Sequence, residues 1–343
     1  MIREAIIALV EEERHLSEEE AAACMREIMD GEATEAQFGA FVTALRLRGE
    51  TVDEITGMAR VMREKALSVD VSKKPLLDTC GTGGSSRKVF NASTAAAFVA
   101  AAAGANVAKH GNRAMTSKSG AADLLEALGA HIALTPDQVA TCIEQTGVGF
   151  MFAQAFHPSM KFAGPLRPQI GIRTVFNILG PLTNPASANC HVMGAANPEL
   201  AEKLAQVLAR LGMRHALVVA GSDGLDDLTV TGPTEAFEVK GGAVTQRTIT
   251  PGELGLKTHA FEDIVGGTPE ENAQILREIF AGGGPKAVRD LVVATAAAGL
   301  YVTGLASNLQ QGAQLAGQAI DSGDAAARLG AFVEATRRVS AGS

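Results

Sequence analysis

The sequence predicts an α/β protein: a small N-terminal helical domain plus a large domain whose mostly parallel central sheet is flanked by helices. Residues 1–67 place apolar side chains at helical spacing and contain no strand pattern. From residue 75 onward, short apolar runs alternate with helical segments, as in parallel α/β folds. A chain of 343 residues also exceeds the size of one small core. We therefore predict a helical domain over 1–70, completed by part of 157–187, and an α/β domain over 71–343.

The N-terminal helices are predicted from their caps as well as from their periodicity. In SEEEAAACMREIMDGEA, Ser17 suits an N-cap, acids fill the first turn and Gly31 suits the end of the helix. In TVDEITGMARVMREKA, Thr51 and Glu54 stand at the two positions of a capping box. IREAIIALVEEE and EAQFGAFVTALRLRGE repeat the helical spacing, so these segments are predicted helices too.

The α/β part begins with the strand PLLDTC, followed by a helix from residue 92. Strand NVAKHG, helix SGAADLLEALGA, strand HIALT, helix PDQVATCIEQTG and strand VGFMFA continue the alternation. Prolines and glycines interrupt it over 157–187, where we expect short helices and a crossover towards the helical domain. The alternation resumes with NCHVMGAA, NPELAEKLAQVLARLG and RHALVVAG. A hairpin is predicted in EAFEVKGGAVTQRTIT, and mainly helices from residue 269.

The composition argues against several classes of function. Hydrophobic residues make up 46% and charged residues 20%, as in ordinary globular enzymes, and the net charge of −8 disfavours a nucleic-acid partner. The acidic N-terminus is no signal peptide and the longest apolar runs are too short to cross a bilayer, so we expect a cytoplasmic protein with no membrane partner. Cys24, Cys80, Cys142 and Cys190 form no CxxC pair, which argues against a zinc or redox site. We interpret Cys80 as a small buried residue rather than a reactive thiol.

The stretch GTGGSSRKVFNAST lies between a predicted strand and a predicted helix. Its spacing matches neither a P-loop nor a dinucleotide fingerprint, because the sixth position from Gly81 is Ser86. Its glycines nevertheless let the backbone approach an anion, and the helix start adds free N–H groups. Asn91, Ser93 and Thr94 add polar side chains there. We interpret the stretch as a phosphate-binding loop; the alternative is a tight capped turn that binds no ligand.

A second polar loop, AKHGNRAMTSKSG, also leaves a strand and enters a helix. Its polar side chains include Lys109, His110, Asn112, Arg113, Ser117 and Ser119. Because the carboxyl ends of neighbouring strands border the ligand crevice of an open α/β sheet, both loops are expected to face one pocket. The alternative, a solvated basic turn, explains the lysine and arginine but not the run of hydroxyl groups.

Two adjacent acids, Asp226 and Asp227, follow the predicted strand RHALVVAG. Paired carboxylates suit Mg²⁺, which prefers oxygen ligands and bridges carboxylates to substrate phosphates. Taken alone, an exposed acidic turn explains the pair equally well. Together with the two polar loops, the pair predicts a site for a polyphosphate and magnesium.

GTGG, FNAST, KHGNRAMTSKSG, HPSM and GIRTVFNILGPLTNPA, in this order and spacing, resemble the anthranilate phosphoribosyltransferase family over nearly the whole chain. The resemblance implies an active site in the cleft between the two domains, a fold shared with pyrimidine nucleoside phosphorylases, and a homodimer formed through the helical domain. It implies transfer of the phosphoribosyl group of 5-phosphoribosyl 1-pyrophosphate (PRPP) to the amine of anthranilate. That reaction belongs to tryptophan biosynthesis, uses Mg²⁺ and releases pyrophosphate.

The resemblance also implies roles for individual residues. It assigns PRPP binding to Gly81, Thr82, Gly83, Gly84, Ser85, Val89, Asn91, Ser93, Thr94, Lys109, His110, Gly111, Asn112, Arg113, Ser117 and Ser119. It assigns anthranilate binding to Gly81, Asn112, His157 and Arg167, and Mg²⁺ binding to Ser93, Asp226 and Asp227. No protein nucleophile is needed, because Lys109 and the metal would stabilise the leaving pyrophosphate. His110 and His157 are candidates to accept a proton, with orientation of the acceptor the preferred role.

Four positions depart from the pattern of that family. Ser85 replaces an aspartate, Val89 a threonine, Ala121 a serine, and Asp227 a glutamate. These changes concern the PRPP and metal side, so a related PRPP-dependent transferase or phosphorylase with a different acceptor is the first alternative. Arg167, which suits a small carboxylate, favours anthranilate. A nucleic-acid-binding relative is the second alternative, and it would need a basic stripe that the sequence lacks.

Overall fold

The computed structural model describes residues 1–83, 89–114 and 118–342. The N-terminal helices are α1 (Ile2–Val10), α2 (Glu18–Met29), α3 (Glu35–Arg48) and α4 (Val52–Lys65). The strands are β1 (Leu76–Gly81), β2 (Asn106–Gly111), β3 (Val148–Phe152), β4 (Cys190–Gly194), β5 (His215–Gly221), β6 (Thr234–Lys240) and β7 (Ala243–Ile249). The helices between and after the strands are α5 (Ala92–Ala102), α6 (Ala121–Ala127), α7 (Pro136–Thr146), α8 (Ala153–Phe156), α9 (Met160–Ala163), α10 (Arg167–Ile170), α11 (Phe176–Leu179), α12 (Pro198–Arg210), α13 (Pro269–Phe280), α14 (Lys286–Thr303), α15 (Leu309–Asp321) and α16 (Asp324–Ala341). Short 3₁₀ turns lie at Gly180–Leu182, Pro251–Leu254 and Phe261–Ile264.

Local capping explains the limits of the N-terminal helices. The amide of Glu20 donates to the hydroxyl of Ser17 at 3.2 Å, and Gly31 follows α2 with a φ of 78°, a value that favours glycine. The predicted capping box of α4 is present: Thr51 N donates to Glu54 Oε2 at 2.7 Å, and Glu54 N donates to Thr51 Oγ1 at 3.2 Å. The other oxygen of the buried Glu54 accepts the amide of Leu16 at 2.9 Å. This carboxylate therefore joins α4 to the α1–α2 connection.

Seven strands of the described residues form one sheet in the order β3-β2-β1-β4-β5-β6-β7. The first five are parallel, and the β6–β7 hairpin pairs antiparallel at one edge. The predicted fold class is confirmed. The chain runs from β1 towards one edge and later returns to β4, on the other side of β1. The carboxyl ends of β1 and β4 therefore flank a topological switch point, where α/β proteins bind ligands.

Each face of the sheet carries its own apolar cluster. On one face, Val107 and Val192 pack with the alanine-rich helix α5, with α14 and with the C-terminal helices. On the other face, Met193 and Val218 pack with α12 and also with the N-terminal bundle. The aromatic rings of Phe38 and Phe176 meet in this second cluster with their centroids 5.5 Å apart. The bundle is thus held against the sheet by shared apolar burial.

The 157–187 segment forms short helices and crosses between the sheet and the bundle, as predicted. The predicted strand HIALT is wrong, because residues 131–135 pair with no strand in the described part of the chain. Ile132 and Leu134 are buried, so their alternation reflects packing of an extended segment, and Thr135 already caps α7. No helix among the described residues has the length and apolar character needed to span a membrane.

Candidate functional site

The glycine loop leaves β1 at the switch point and is fastened at both ends. The amide of Thr82 donates to the carbonyl of Gly194 on β4 at 2.9 Å. At the far end of the loop, Val89 forms a β-bridge with Val265, and the amide of Phe90 donates to the carbonyl of Ile264 at 3.1 Å. The predicted PRPP-binding residues Gly84, Ser85 and Ser117 lie outside the described residues.

A buried hydroxyl in this loop has no internal partner. Thr82 Oγ1 is buried and makes no hydrogen bond to any described residue. Burying a hydroxyl without a partner is unfavourable, and such groups concentrate where a ligand or water completes them. The loop therefore offers an unused hydroxyl at the position where the predicted phosphate would approach.

Asn91 ties the first polar loop to the second. It precedes α5, yet its side chain does not cap that helix. Its amide donates to the carbonyl of Ser119 at 2.9 Å, and its Oδ1 accepts both the Ser119 hydroxyl at 2.9 Å and the Asn272 amide at 2.8 Å. The first turn of α5, including Ser93 and Thr94, therefore stands beside the start of α6. The sequence had no signal for Asn272, which lies 181 residues away from Asn91.

Lys109 lies under the first loop, on the α5 face of the sheet. Its side chain is only 3% exposed, and its ammonium donates to the carbonyl of Thr79 on β1. The hydroxyl of Thr79 in turn donates to the carbonyl of Ser93 at 2.9 Å. Burial lowers the pKa of Lys109, and the nearby Asp78, Cys80 and Asp227 oppose that shift. A cation is thus held close to both the loop and the acid pair.

The acid pair packs directly against the ends of β1 and β4. A Cβ atom placed on Gly81 would lie 2.9 Å from the carbonyl oxygen of Asp226 and 3.1 Å from its carboxylate. Asp227 Oδ1 accepts the amide of Leu228 at 2.9 Å and the hydroxyl of Thr295 at 3.0 Å. The described residues give Oδ2 of Asp227 no hydrogen-bond partner. Burial raises the pKa of this carboxyl to about 7.

Gly194 is a site residue that sequence reasoning missed. A Cβ atom at this position would overlap the backbone carbonyl of Asp226, which cannot move aside as a flexible side chain could. We expect Gly194→Ala to reduce the free energy of unfolding by about 1–3 kcal/mol and to displace the acid pair. Thermal unfolding and a metal-dependent activity assay measure the two effects. Gly39→Ala in α3, where a Cβ meets nothing within 4 Å, is the control and should be neutral or stabilising. Equal behaviour of the two variants would contradict the close packing.

Two buried histidines form a pair beneath the crossover. His110 Nδ1 lies 3.2 Å from the carbonyl of Gly180, and His110 Nε2 lies 3.2 Å from His157 Nε2. Since a carbonyl can only accept, His110 carries its proton on Nδ1 and accepts from His157 Nε2. Nδ1 of His157 then carries no proton and can accept a hydrogen bond from a bound molecule. Burial lowers the pKa of both, that of His157 to about 3, so both rings are neutral at pH 7.

Arg167 is a half-buried cation with no polar partner among the described residues. Its guanidinium lies 5.9 Å from the centroid of the Phe176 ring, and burial lowers its pKa. It belongs to the crossover that also contacts both polar loops. In that crossover, Arg173 donates to the carbonyl of Gly83 at 3.4 Å, and His157 contacts His110. An arginine in this environment is suited to bind a carboxylate that enters the cleft.

Asn112 and Arg113 are exposed and already have protein partners. Asn112 Oδ1 accepts the amide of Arg113 at 2.8 Å. The guanidinium of Arg113 pairs with Asp123 at 3.2 Å and with Glu126, both on α6. The role predicted for Arg113 therefore requires these ion pairs to open. Gly111 ends β2 close to Phe150, so its lack of a side chain leaves room for that ring.

Asp78, Cys80 and His191 form a further polar cluster that the sequence did not reveal. Their donor atoms lie within 4.8 Å of one another on the crossover face of β1 and β4. Hydrogen bonds account for the group: Cys80 Sγ lies 3.5 Å from Asp78 Oδ2 and 3.4 Å from His191 Nε2. Burial raises the pKa of the Cys80 thiol well above its ordinary value, which disfavours a reactive thiolate.

The arrangement can bind a substrate that carries several phosphates next to one that carries a carboxylate. Backbone amides, the Lys109 ammonium and the Thr82 hydroxyl lie near the switch point, and the carboxylates of the acid pair lie beside them. Arg167 and the histidine pair lie on the crossover side. Among the described residues, the contacts join Lys109 to β1, Asp226 to the end of β1 and His157 to His110.

Comparison with known proteins shows which family the chain resembles along almost its whole length. Residues 73–326 match the glycosyl transferase family, a/b domain, and residues 3–66 match the glycosyl transferase family, helical bundle domain. The chain is 53% identical over 321 residues to the anthranilate phosphoribosyltransferase of Moorella thermoacetica, covering 93% of this chain and 94% of that protein.

Solved structures of such enzymes have the same fold over almost the whole chain. The anthranilate phosphoribosyltransferase of Thermus thermophilus is 43% identical with a TM-score of 0.91, over 98% of this chain and 99% of that one. The Saccharomyces cerevisiae enzyme in complex with PRPP and Mg is 27% identical with a TM-score of 0.90, over 98% of each chain. The same yeast enzyme in complex with 4-fluoroanthranilate gives a TM-score of 0.88 at 25% identity, again over 98% of each chain.

Proposed function

Because this chain belongs to the anthranilate phosphoribosyltransferase family, we propose that it transfers the 5-phosphoribosyl group of PRPP to the amine of anthranilate. The products are N-(5-phosphoribosyl)anthranilate and pyrophosphate, in a step of tryptophan biosynthesis. The observation that carries the acceptor assignment is Arg167, a half-buried guanidinium without a polar partner among the described residues, in the crossover above the switch point. A carboxylate on an aromatic ring matches both this cation and its apolar surroundings.

The donor site is assigned to the two polar loops. The proposed PRPP-binding residues are Gly81, Thr82, Gly83, Gly84, Ser85, Val89, Asn91, Ser93, Thr94, Lys109, His110, Gly111, Asn112, Arg113, Ser117 and Ser119. Among those described, Thr82 offers a buried unpaired hydroxyl and Lys109 a buried ammonium. Asn91 acts by holding the loops together, since its side-chain groups already bond Ser119 and Asn272. Fixed donors of this kind stabilise the charge that builds on a departing pyrophosphate.

The acid pair is assigned to Mg²⁺, with Ser93 as a third ligand. The donor set fits: all three side chains offer oxygen, and Oδ2 of Asp227 has no partner among the described residues. When bound, Mg²⁺ supplies positive charge against the pyrophosphate oxygens. Lys109 contributes its own charge on the same face of the sheet.

The acceptor is bound and oriented rather than strongly activated. The lone pair of the anthranilate nitrogen forms the new bond to C1 of the ribose while the C1–O bond breaks, its electrons leave with pyrophosphate, and the nitrogen then loses one proton. An aromatic amine is already neutral at pH 7, and a histidine with a pKa of about 3 is a weak base. We therefore assign Arg167, Asn112 and Gly81 to binding, and Nδ1 of His157 to orienting the amine.

We also propose a homodimer that forms through the helical domain. Two apolar side chains of the bundle support it: Leu47 is 83% exposed and Val10 is 59% exposed. A cytoplasmic location is supported by four free cysteines. The division into 1–70, with part of 157–187, and 71–343 is likewise a proposal, supported by the packing of Phe176 against Phe38.

The fluorescence of anthranilate, followed over time with purified protein, PRPP and Mg²⁺, tests the function. We expect the fluorescence to fall only when all three components are present. Omission of PRPP, or addition of a chelator, is the control. Persistent fluorescence, with PRPP binding demonstrated by calorimetry, would contradict the acceptor assignment and favour a related transferase with another acceptor.

A further inference from the structure

The backbone ladder between strands β1 and β2 stops before it reaches the site. Their backbone ladder contains only Leu76 with Asn106 and Leu77 with Val107. By contrast, β1 pairs with β4, and β2 with β3, over five residues up to their carboxyl ends. A gap in the β1–β2 ladder therefore lies directly below the glycine loop.

Side chains, rather than backbone, satisfy the polar groups that line this gap. Val107 N donates to Gly147 O on the β3 side, so the alternate residues Ala108 and His110 face β1. In a continued ladder, the amide of His110 would donate to the carbonyl of Thr79. Instead it donates to Asp78 Oδ1 at 3.1 Å, and the Thr79 carbonyl accepts the ammonium of Lys109.

Asn184 completes the gap from the crossover side. Its amide donates to Asp78 Oδ2 at 2.7 Å and to the carbonyl of Ala108 at 2.8 Å. Its Oδ1 accepts the amides of Ala186 at 2.9 Å and Ala188 at 3.4 Å, so its orientation is fixed. Asp78 is fully buried and Asn184 is 6% exposed, which removes water as an alternative partner.

We propose that Asp78 and Asn184 are positioning residues, which hold the β1–β2 ladder open so that Lys109 and His110 are presented to the substrates. This inference rests on the function proposed above. A closed ladder would pair His110 N with Thr79 O and so displace the ammonium of Lys109 from that carbonyl. It would also move the ring of His110 relative to His157, because the amide and the ring belong to one residue.

Two single variants, and the double variant that swaps the two side chains, test the pair. Asp78→Asn leaves one acceptor for the His110 amide but sets two amide donors, at 78 and 184, against each other. Asn184→Asp sets two carboxylates against each other. We expect either change to lower kcat/KM for PRPP by about 100-fold, the scale of a small misplacement of substrate-contacting groups. The double variant Asp78→Asn/Asn184→Asp restores the donor–acceptor pair between residues 78 and 184, although the carboxylate at position 184 no longer donates to the carbonyl of Ala108. It should therefore recover about tenfold of the loss rather than all of it. Absence of recovery, with all variants folded, would overturn the pairing.

Glu54→Gln is the matched control. Glu54 is also a fully buried carboxylate that accepts backbone amides, but it lies in the bundle at α4. The substitution Glu54→Gln should lower the unfolding temperature. It should keep kcat/KM for PRPP within about threefold of the wild-type value, because an effect on stability alone does not move the substrate-contacting groups. A comparable kinetic loss in Glu54→Gln would overturn the positioning role and indicate general destabilisation.

Amide hydrogen exchange separates this inference from the proposed function. Peptides that cover 106–111 should exchange faster in Asp78→Asn and in Asn184→Asp, and slower again in the double variant, whatever the acceptor substrate is. If the wild-type protein consumed no anthranilate but exchange followed this pattern, the function would fail and the positioning pair would stand. Unchanged exchange in both single variants would overturn the pair.

Discussion

Asp227→Asn, alone or with Asp226→Asn, is expected to lower kcat by at least about 100-fold, the scale on which a lost stabiliser of transition-state charge acts. The asparagine keeps the size of the side chain and can still accept from Leu228 N and the Thr295 hydroxyl through Oδ1. What it loses is the negative charge that binds Mg²⁺. Initial rates at several Mg²⁺ concentrations measure the effect, which should appear as a loss that added Mg²⁺ does not fully restore.

The same substitution should stabilise the metal-free protein at high pH. Burial raises the folded-state pKa of Asp227 from 3.8 to about 7, so the folded state holds a proton that the unfolded state releases. Stability is therefore lost as the pH rises from 3.8 through about 7, and Asp227→Asn removes that loss. With a chelator present, the variant should gain unfolding temperature relative to the wild type at about pH 8 but not at about pH 4.

A charge-matched control is available at the α15–α16 turn. Asp321→Asn with Asp324→Asn removes two exposed carboxylates, as the double variant of the acid pair does, and should leave kcat unchanged. Full activity in the variant of Asp226 and Asp227, or an equal loss in this control, would contradict the metal assignment.

Arg167→Ala is expected to raise the anthranilate KM by about 100-fold and to change the PRPP KM by less than about threefold. The guanidinium has no polar partner among the described residues, so its removal leaves no protein group unpaired. The loss should therefore fall on the carboxylate of the acceptor. Steady-state kinetics with each substrate varied in turn separate the two constants.

Two further variants sharpen this test. Arg167→Lys keeps the charge but loses the planar fork, so its anthranilate KM should lie between those of the wild type and the alanine variant. Arg60→Ala removes an arginine that pairs with Glu18 in the bundle and should leave both constants unchanged. A rise of both KM values together in Arg167→Ala would show that this residue supports the whole cleft rather than the acceptor.

The fold was largely predictable because its signals are local. The capping box of Thr51 and Glu54 spans four residues, and the hairpin of β6 and β7 turns at Gly241 and Gly242 with an alternating pattern on either side. The prediction of a strand at HIALT was wrong, because burial of alternate side chains also occurs in an extended segment that pairs with no strand. Only tertiary structure distinguishes the two cases.

The site was predictable to the extent that its residues lie in short polar loops. Lys109, Asp226 and Asp227 lie at or just after the ends of strands, and parallel strands bring such positions to one edge. Asp78 could not be predicted as a site residue, because one acid inside an apolar strand has no local partner: its partners, His110 and Asn184, lie 32 and 106 residues away. Gly194 was missed for the same reason, since the carbonyl that it accommodates belongs to a loop after a different strand.

The apolar cluster shared by the N-terminal bundle and the sheet bears on how the chain folds. Phe41 and Met58 of the bundle belong to the same buried cluster as Leu204 of α12 and Val218 of β5. The bundle and this face of the sheet share one buried cluster, so each would expose apolar surface there if it were expressed alone. We therefore expect the helical bundle and the sheet to unfold together, and the bundle to protect the face of the sheet that it covers from aggregation.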